Sequence, residues 1–182
     1  NVEKLVILCS KEDLPSTEFS EVISYEELLS MGNENFEWIT GEETDACGIC
    51  YTSGTTGNPK GVVYTHRSNT LHALTQAAPD MLNLSSSDTI MPVVPLFHAN
   101  GWSIAYTAPL VGSSIVFPGG DLSPSSLYNM LEKGVTITAA VPTVWLLLLN
   151  FLESEKKELR SLKRVVIGGS SCPRSVIEDF QN

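Results

Sequence analysis

The chain has 182 residues, 42% of them hydrophobic, and a net charge of −10. That much apolar sequence suffices for one domain with a real core, while the acidic balance argues against a nucleic-acid partner, whose phosphates need clustered Lys and Arg. The longest apolar run, Val141 to Leu152, is interrupted by Pro142 and Asn150 and is too short to span a bilayer. No signal peptide is visible, and because the sequence starts with Asn1 rather than Met, the true start is expected to lie elsewhere or to have been trimmed.

In chain order, Lys4 to Cys9 reads as a short buried strand. Ser24-Tyr25-Glu26-Glu27 is a capping box ahead of Leu28 and Leu29, so a short helix follows. The polar stretch Met31 to Asp45 reads as a surface connection, and residues 1 to about 45 as a leading segment. Gly48 to Thr52 is apolar and enters a glycine-rich loop. Val62 to Tyr64 is a second short strand, and His66 to about Ala78 is helical. Asp88 to Val94 reads as a strand ending at Pro95, Asn100 to about Leu110 as a helix, and Ser114 to Phe117 as a strand. Ser123-Pro124 marks a helix start, a cap followed by proline at the first position, with Leu127, Met130 and Leu131 at helical spacing. Val135 to Val141 is β-rich, Pro142 opens an apolar helix through Leu152, Arg164 to Ile167 is a strand, and a helix starts at Pro173.

From residue 88 onward strands alternate with helices over short connections. That pattern predicts an α/β fold with a mostly parallel sheet and covering helices. Ligands on such sheets bind at the C-terminal ends of strands. The loop after Tyr51, the Pro95–Trp102 stretch and Gly168–Cys172 are expected there.

The cysteines are Cys9, Cys47, Cys50 and Cys172. Cys47-Gly48-Ile49-Cys50 has C-x-x-C spacing, but a structural zinc site would need a second ligand pair, which the sequence lacks. A redox pair belongs at a helix N-terminus, whereas this pair leads into a strand. Both are read as buried strand thiols, and no metal ligand is assigned. The low cysteine count suits a reducing compartment.

Thr52 to Gly61 holds three glycines, four hydroxyl residues and Lys60. Such a loop can offer backbone N–H groups, O–H donors and a cation to one phosphate chain. It is not a Walker A loop, because the Gly-Lys-Ser/Thr order is missing at the required distance from Gly54. Composition alone leaves a plain surface turn equally open. The order Thr-Ser-Gly-Thr-Thr-Gly-Asn-Pro-Lys-Gly-Val over Thr52 to Val62, however, resembles the phosphate loop of the adenylate-forming, AMP-binding superfamily. Pro95-Leu96-Phe97-His98-Ala99-Asn100-Gly101-Trp102 resembles the same family's second core motif. Val141-Pro142-Thr143-Val144-Trp145 and Gly168-Gly169-Ser170-Ser171-Cys172-Pro173 resemble segments bordering its acyl tunnel and adenine. The likeness is strongest to fatty-acyl and medium-chain acyl-CoA ligases.

The resemblance implies part of the large N-terminal domain of an adenylate-forming enzyme. It implies that Thr52, Ser53, Gly54, Thr55, Thr56, Gly57, Lys60 and Gly61 hold the leaving pyrophosphate. Gly169, Ser170 and Ser171 would lie against adenine, and His98, Trp102, Val141 and Gly168 would line the substrate pocket. Catalytic roles fall to His98, near the substrate carboxylate, and to Lys60. On residue type alone, His98 would be a satisfied core histidine. His66 and His72 are read as structural, and Cys172 as a packing residue.

Family members are several hundred residues longer. They carry a Mg²⁺-binding glutamate, a ribose-gripping aspartate and a C-terminal lid domain with a catalytic lysine, none of which is in these residues. The chain is therefore expected to be the central piece of an ATP-dependent acid–thiol ligase. Its substrates would be a fatty carboxylate, ATP and CoA, with Mg²⁺ held from outside this segment, and the 182 residues alone are not expected to turn over. A carrier-protein thiol or oxygen as acceptor, and a non-catalytic nucleotide- or acyl-binding protein, stay open as alternatives. A cytoplasmic location is expected, with a peroxisomal address as the alternative.

Overall fold

A computed structural model describes residues 3–52 and 57–181. They fall into two compact units that divide between Gly41 and Glu42. In the first, β1 (Leu5–Ile7) pairs in parallel with β2 (Val22–Ser24), Leu5 opposite Val22. β2 runs into α1 (Tyr25–Ser30), whose capping box is present: Glu27 N donates to Ser24 Oγ and Ser24 N to Glu27 Oε2, both at 3.1 Å. The expected buried strand at Lys4–Cys9 is shorter and only half-buried, and Leu8 is 82% exposed. A two-stranded ladder and one short helix offer too little surface to bury a strand.

The second unit opens with β3 (Ala46–Thr52) and β4 (Lys60–Thr65), an antiparallel hairpin in which Thr52 faces Lys60. β4 passes directly into α2 (His66–Ala77), capped by Thr65, whose Oγ1 accepts from Ser68 N at 3.1 Å. Then follow β5 (Thr89–Pro92), α3 (Ala99–Trp102), α4 (Ile104–Val111), β6 (Ser114–Ile115) and α5 (Pro124–Leu131). β7 (Ile137–Ala140), α6 (Pro142–Glu155), β8 (Arg164–Ile167) and α7 (Arg174–Gln181) complete it.

β5 to β8 form one sheet in the order β6-β5-β7-β8, and every neighbouring pair is parallel. Parallel strands must be apolar on both faces because helices cover both. Ile90, Met91, Ile137, Ala139 and Ala140 accordingly have no exposed surface. Consecutive residues point to opposite faces, so Ile90 packs with Ile104 and Ala108 of α4, while Met91 packs with Leu127, Leu131, Trp145 and Leu148 of α5 and α6. The buried Thr138 hydroxyl donates to Met91 O at 2.8 Å, which satisfies the polar atom in this apolar layer.

The strands are stapled at their N-terminal ends by Asp88. Its carboxylate accepts from Thr136 Oγ1 at 2.8 Å, from Ser85 N and Oγ at 3.0 Å, and from the Arg164 guanidinium at 2.8 Å. Burial alone would raise the Asp88 pKa, but the Thr136 and Ser85 hydrogen bonds and the Arg164 charge outweigh it and hold the carboxyl below its usual range. Among the described residues no helix is long and apolar enough to cross a membrane.

Two expectations are corrected. The loop after Tyr51 does not leave a strand of the parallel sheet; it closes the separate β3–β4 hairpin. The expected helix from Asn100 to about Leu110 is not continuous: α3 is a single left-handed turn, and the right-handed helix runs only from Ile104.

Candidate active site

The chain goes from β5 to β6 on one side and then crosses to β7 on the other. β5 and β7 therefore flank the switch point, where connections leave the C-terminal edge in opposite directions and open a crevice. The Pro95–Trp102 stretch comes off β5, Val141 off β7, and Gly168 to Ser171 off β8.

Four of the expected site residues meet there. A Cβ on Gly168 would be 3.0 Å from Trp102 Cη2 and 3.5 Å from Cζ2 and Cζ3. A Cβ on Gly169 would be 3.0 Å from Val141 Cγ1 and 3.8 Å from Trp102 Cζ2. The paired glycines thus leave the strand end bare, and the indole lies across it. Gly169 also needs to be glycine for its backbone, at φ +83°. His98 and its sequence neighbour Phe97 are exposed, Phe97 at 83%, just ahead of the turn that carries Trp102. Ser170 and Ser171 are exposed between β8 and α7.

The backbone carrying Trp102 is unusual. Ala99, Asn100, Gly101, Trp102 and Ser103 have φ of 46°, 54°, 60°, 56° and 57°. A left-handed conformation costs L-residues roughly 1–2 kcal/mol each, Gly and Asn least, so such a run survives only where contacts over-determine it. Cys50 Sγ donates to Asn100 Oδ1 at 3.1 Å, and Ser103 Oγ lies 2.7 Å from His72 Nδ1. Gly101 N donates to His98 O at 3.0 Å, and Leu96 lies so close that a Cβ on Gly101 would be 2.7 Å from its Cδ2. Thr107 N and Oγ1 both donate to Ser103 O, at 2.9 and 3.0 Å, where α4 begins.

The glycine-rich loop, expected to hold phosphates, joins the two strands of the β3–β4 hairpin. Lys60 is exposed at the first position of β4, facing Thr52 across the loop mouth. Among the described residues no ion pair takes up its ammonium. Gly57 has φ +87°, a turn that favours glycine. Ser53, Gly54, Thr55 and Thr56 lie outside the described residues. Gly61, which the resemblance assigns to the pyrophosphate loop, is a strand residue of β4, and a Cβ on it would be 2.6 Å from Ile49 Cδ1. Its bareness accommodates the cross-strand isoleucine.

The thiols also depart from expectation. Cys50 is buried, but Cys47, three residues earlier and so on the opposite face of the strand, is exposed. Cys47 Sγ accepts from Asn69 Nδ2 at 3.1 Å and does not meet Cys50. Sequence reasoning missed Cys50, His72 and Asn100 as neighbours of the site. The Asn100-Gly101 dipeptide was the signal available, since these two residues tolerate positive φ best.

The AMP-binding enzyme family matches residues 3–182. A medium-chain-fatty-acid–CoA ligase of Ectopseudomonas oleovorans is 45% identical over 182 residues, which are 100% of this chain and 33% of that protein. A long-chain-fatty-acid–CoA ligase of Thermus thermophilus is 48% identical over 160 residues, 87% of this chain and 29% of that protein. The solved structure of a long-chain-fatty-acid-CoA ligase from Archaeoglobus fulgidus superposes with a TM-score of 0.76 at 30% identity, covering 90% of this chain and 34% of that one. The chain thus spans about a third of the length of the curated relatives it matches. With the family matched across the parallel sheet, the hairpin and both glycine-rich segments, this chain belongs to the AMP-binding enzymes.

Proposed function

We propose that this chain supplies the phosphate loop and much of the acid-binding wall of an ATP-dependent fatty acid–CoA ligase. The observation that carries the reading is the meeting of Trp102, Val141, Gly168 and Gly169 at the switch-point edge of the sheet. It is an apolar wall where a carboxylic acid can approach a nucleotide, and the relatives named above act on fatty acids.

In the proposed reaction a carboxylate oxygen attacks the α-phosphorus of ATP. The P–O bond to pyrophosphate breaks, leaving acyl-AMP. The CoA thiol, losing its proton, then attacks the acyl carbon and releases AMP, giving the thioester. Charge shifts onto pyrophosphate in the first step, so donors already aimed at the phosphates lower the barrier. Lys60 supplies a point charge and Thr52 a hydroxyl, with Ser53, Thr55 and Thr56 completing the loop. His98, exposed on the segment leading to Trp102, donates to the carboxylate or to the acyl-adenylate oxygens. Gly169, Ser170 and Ser171 form the adenine side. Mg²⁺ is expected to travel with ATP. Among the described residues no cluster of three or more His, Cys, Asp or Glu side chains fits a metal ion, so this chain's own cation toward the phosphates is Lys60.

The test is fatty-acid-dependent exchange between ATP and labelled pyrophosphate by the natural gene product that carries this chain, followed by thioester formation with CoA. Exchange that needs a fatty acid, and thioester that needs CoA, support the reading. Exchange driven by amino acids alone, or acyl transfer only to a carrier protein, sinks it.

A further inference from the structure

Five consecutive residues, Ala99 to Ser103, hold positive φ, and four of them are not glycine. Nothing in the local sequence favours this path at Ala99, Trp102 or Ser103, so it must be imposed from outside. Two tethers do so, one on each side of Trp102. Asn100 is held by the Cys50 thiol of β3, and Ser103 by the His72 imidazole of α2. Ser103 is 2% exposed, so its hydroxyl depends on that partner. The His72 ring is fixed at its other nitrogen as well, since Nε2 lies 3.0 Å from Nε2 of the buried Gln76. One tether starts on β3, which leads into the glycine-rich loop, the other on α2, which follows β4, and both end on the turn that lays Trp102 over Gly168.

We infer that Cys50 and His72 are positioning residues: they hold Ala99–Ser103 in its left-handed path and so set Trp102 and His98 at the acid-binding edge. This rests on the ligase reading above. Losing either tether lets the turn relax toward ordinary dihedrals, which carries the indole off the strand end. The loss falls on the acid rather than on ATP, because Lys60 and the loop lie on the hairpin and not on the turn.

The variants are chosen by shape and carried in the natural gene product. In His72→Asn the amide sits where imidazole Nδ1 stood and can still reach Ser103; in His72→Gln it sits near Nε2 and cannot. Cys50→Ser keeps a donor for Asn100, and Cys50→Ala does not. The readouts are the KM values for fatty acid and ATP in pyrophosphate exchange, and amide hydrogen exchange of peptides spanning residues 99–103. His72→Gln is expected to raise the acid KM about tenfold, the effect of one lost hydrogen bond to the buried Ser103, and Cys50→Ala to raise it about threefold, because a thiol is a weak donor and Asn100 is only half-buried. The ATP KM is expected to stay within about twofold, and amide exchange in the turn to speed up. His72→Asn and Cys50→Ser should behave as wild type. Adding Ala99→Gly to His72→Gln should recover part of the acid KM, because glycine adopts positive φ without strain. Folded variants with unchanged acid KM and unchanged exchange in the turn overturn the inference, as does equal behaviour of His72→Asn and His72→Gln. If the wild type shows no acid-dependent activity, the ligase reading falls, and the hydrogen-exchange pattern alone decides the clamp.

Discussion

Replacing Gly168 with alanine puts a methyl group where the Trp102 ring already lies. The new Cβ would be 3.0 Å from Cη2 and 3.5 Å from Cζ2 and Cζ3, against an optimal carbon–carbon separation of about 3.5–4.0 Å. The backbone itself does not object, since Gly168 is not among the positive-φ residues. The indole has to yield by about half an ångström, yet its own backbone is fixed at φ +56° between two tethered neighbours. Overpacking of this kind costs about 1–3 kcal/mol. If that falls on acid binding, the acid KM rises roughly 5- to 150-fold, at tenfold per 1.4 kcal/mol, with little change in the ATP KM.

The assay is acid-dependent pyrophosphate exchange, with KM measured separately for acid and ATP. Adding Trp102→Phe supplies the control: the shorter ring no longer reaches the new methyl, so the double variant should bind acid better than Gly168→Ala alone. An acid KM within about twofold of wild type in Gly168→Ala would refute the packing argument. A double variant worse than Gly168→Ala would refute the pairing of Trp102 with the strand end.

Lys60→Ala removes the proposed charge-assisted contact to phosphate, worth about 1.5–3 kcal/mol, so nucleotide turnover should fall roughly 10- to 150-fold in kcat/KM for ATP, while equilibrium binding of the fatty acid is expected to stay unchanged. Asp88→Asn breaks the staple at the other end of the sheet, and a cost of about 3 kcal/mol at neutral pH is expected in thermal unfolding. The pH dependence follows from the lowered Asp88 pKa. A depressed carboxyl binds fewer protons folded than unfolded, so its stabilisation is complete above the unfolded pKa of about 4 and is lost as pH falls through the folded value. The Tm gap between wild type and Asp88→Asn should therefore narrow below about pH 4. A gap constant from pH 7 to pH 3 would remove Asp88 as the cause.

The sheet was legible because its residues obey local rules. Ile90-Met91 and Ile137 to Ala140 are apolar on both faces, as buried parallel strands require, and Ser123-Pro124 and Val141-Pro142 announce helix starts that the structure has at Pro124 and Pro142. The β3–β4 pairing was not legible, although both strands were read. Short apolar runs on either side of a glycine-rich loop do not say whether they join a larger sheet or pair with each other. Here they pair, and the two strands bring the Lys60 backbone opposite Thr52.

The turn at Ala99–Ser103 was illegible for a different reason. Asn100-Gly101 permits positive φ, but Ala99, Trp102 and Ser103 carry no preference for it, and an apolar run ending in Leu110 reads naturally as one helix. What decides the path lies far away in sequence: Cys50 is 50 residues from Asn100, and His72 is 31 residues from Ser103. Their two hydrogen bonds, each worth about 1 kcal/mol net, do not alone offset strain at three such residues. The remainder has to come from packing, chiefly the indole on Gly168 and Gly169 and Leu96 against Gly101. The strain and the bare glycines are therefore one device. A side chain on Gly168 would push out the ring whose packing helps hold the turn, and a relaxed turn would withdraw the ring that the glycines make room for. Places where local preference and observed backbone disagree gather at functional sites. This disagreement sits at the switch-point edge, against the bare strand end proposed to receive the acid.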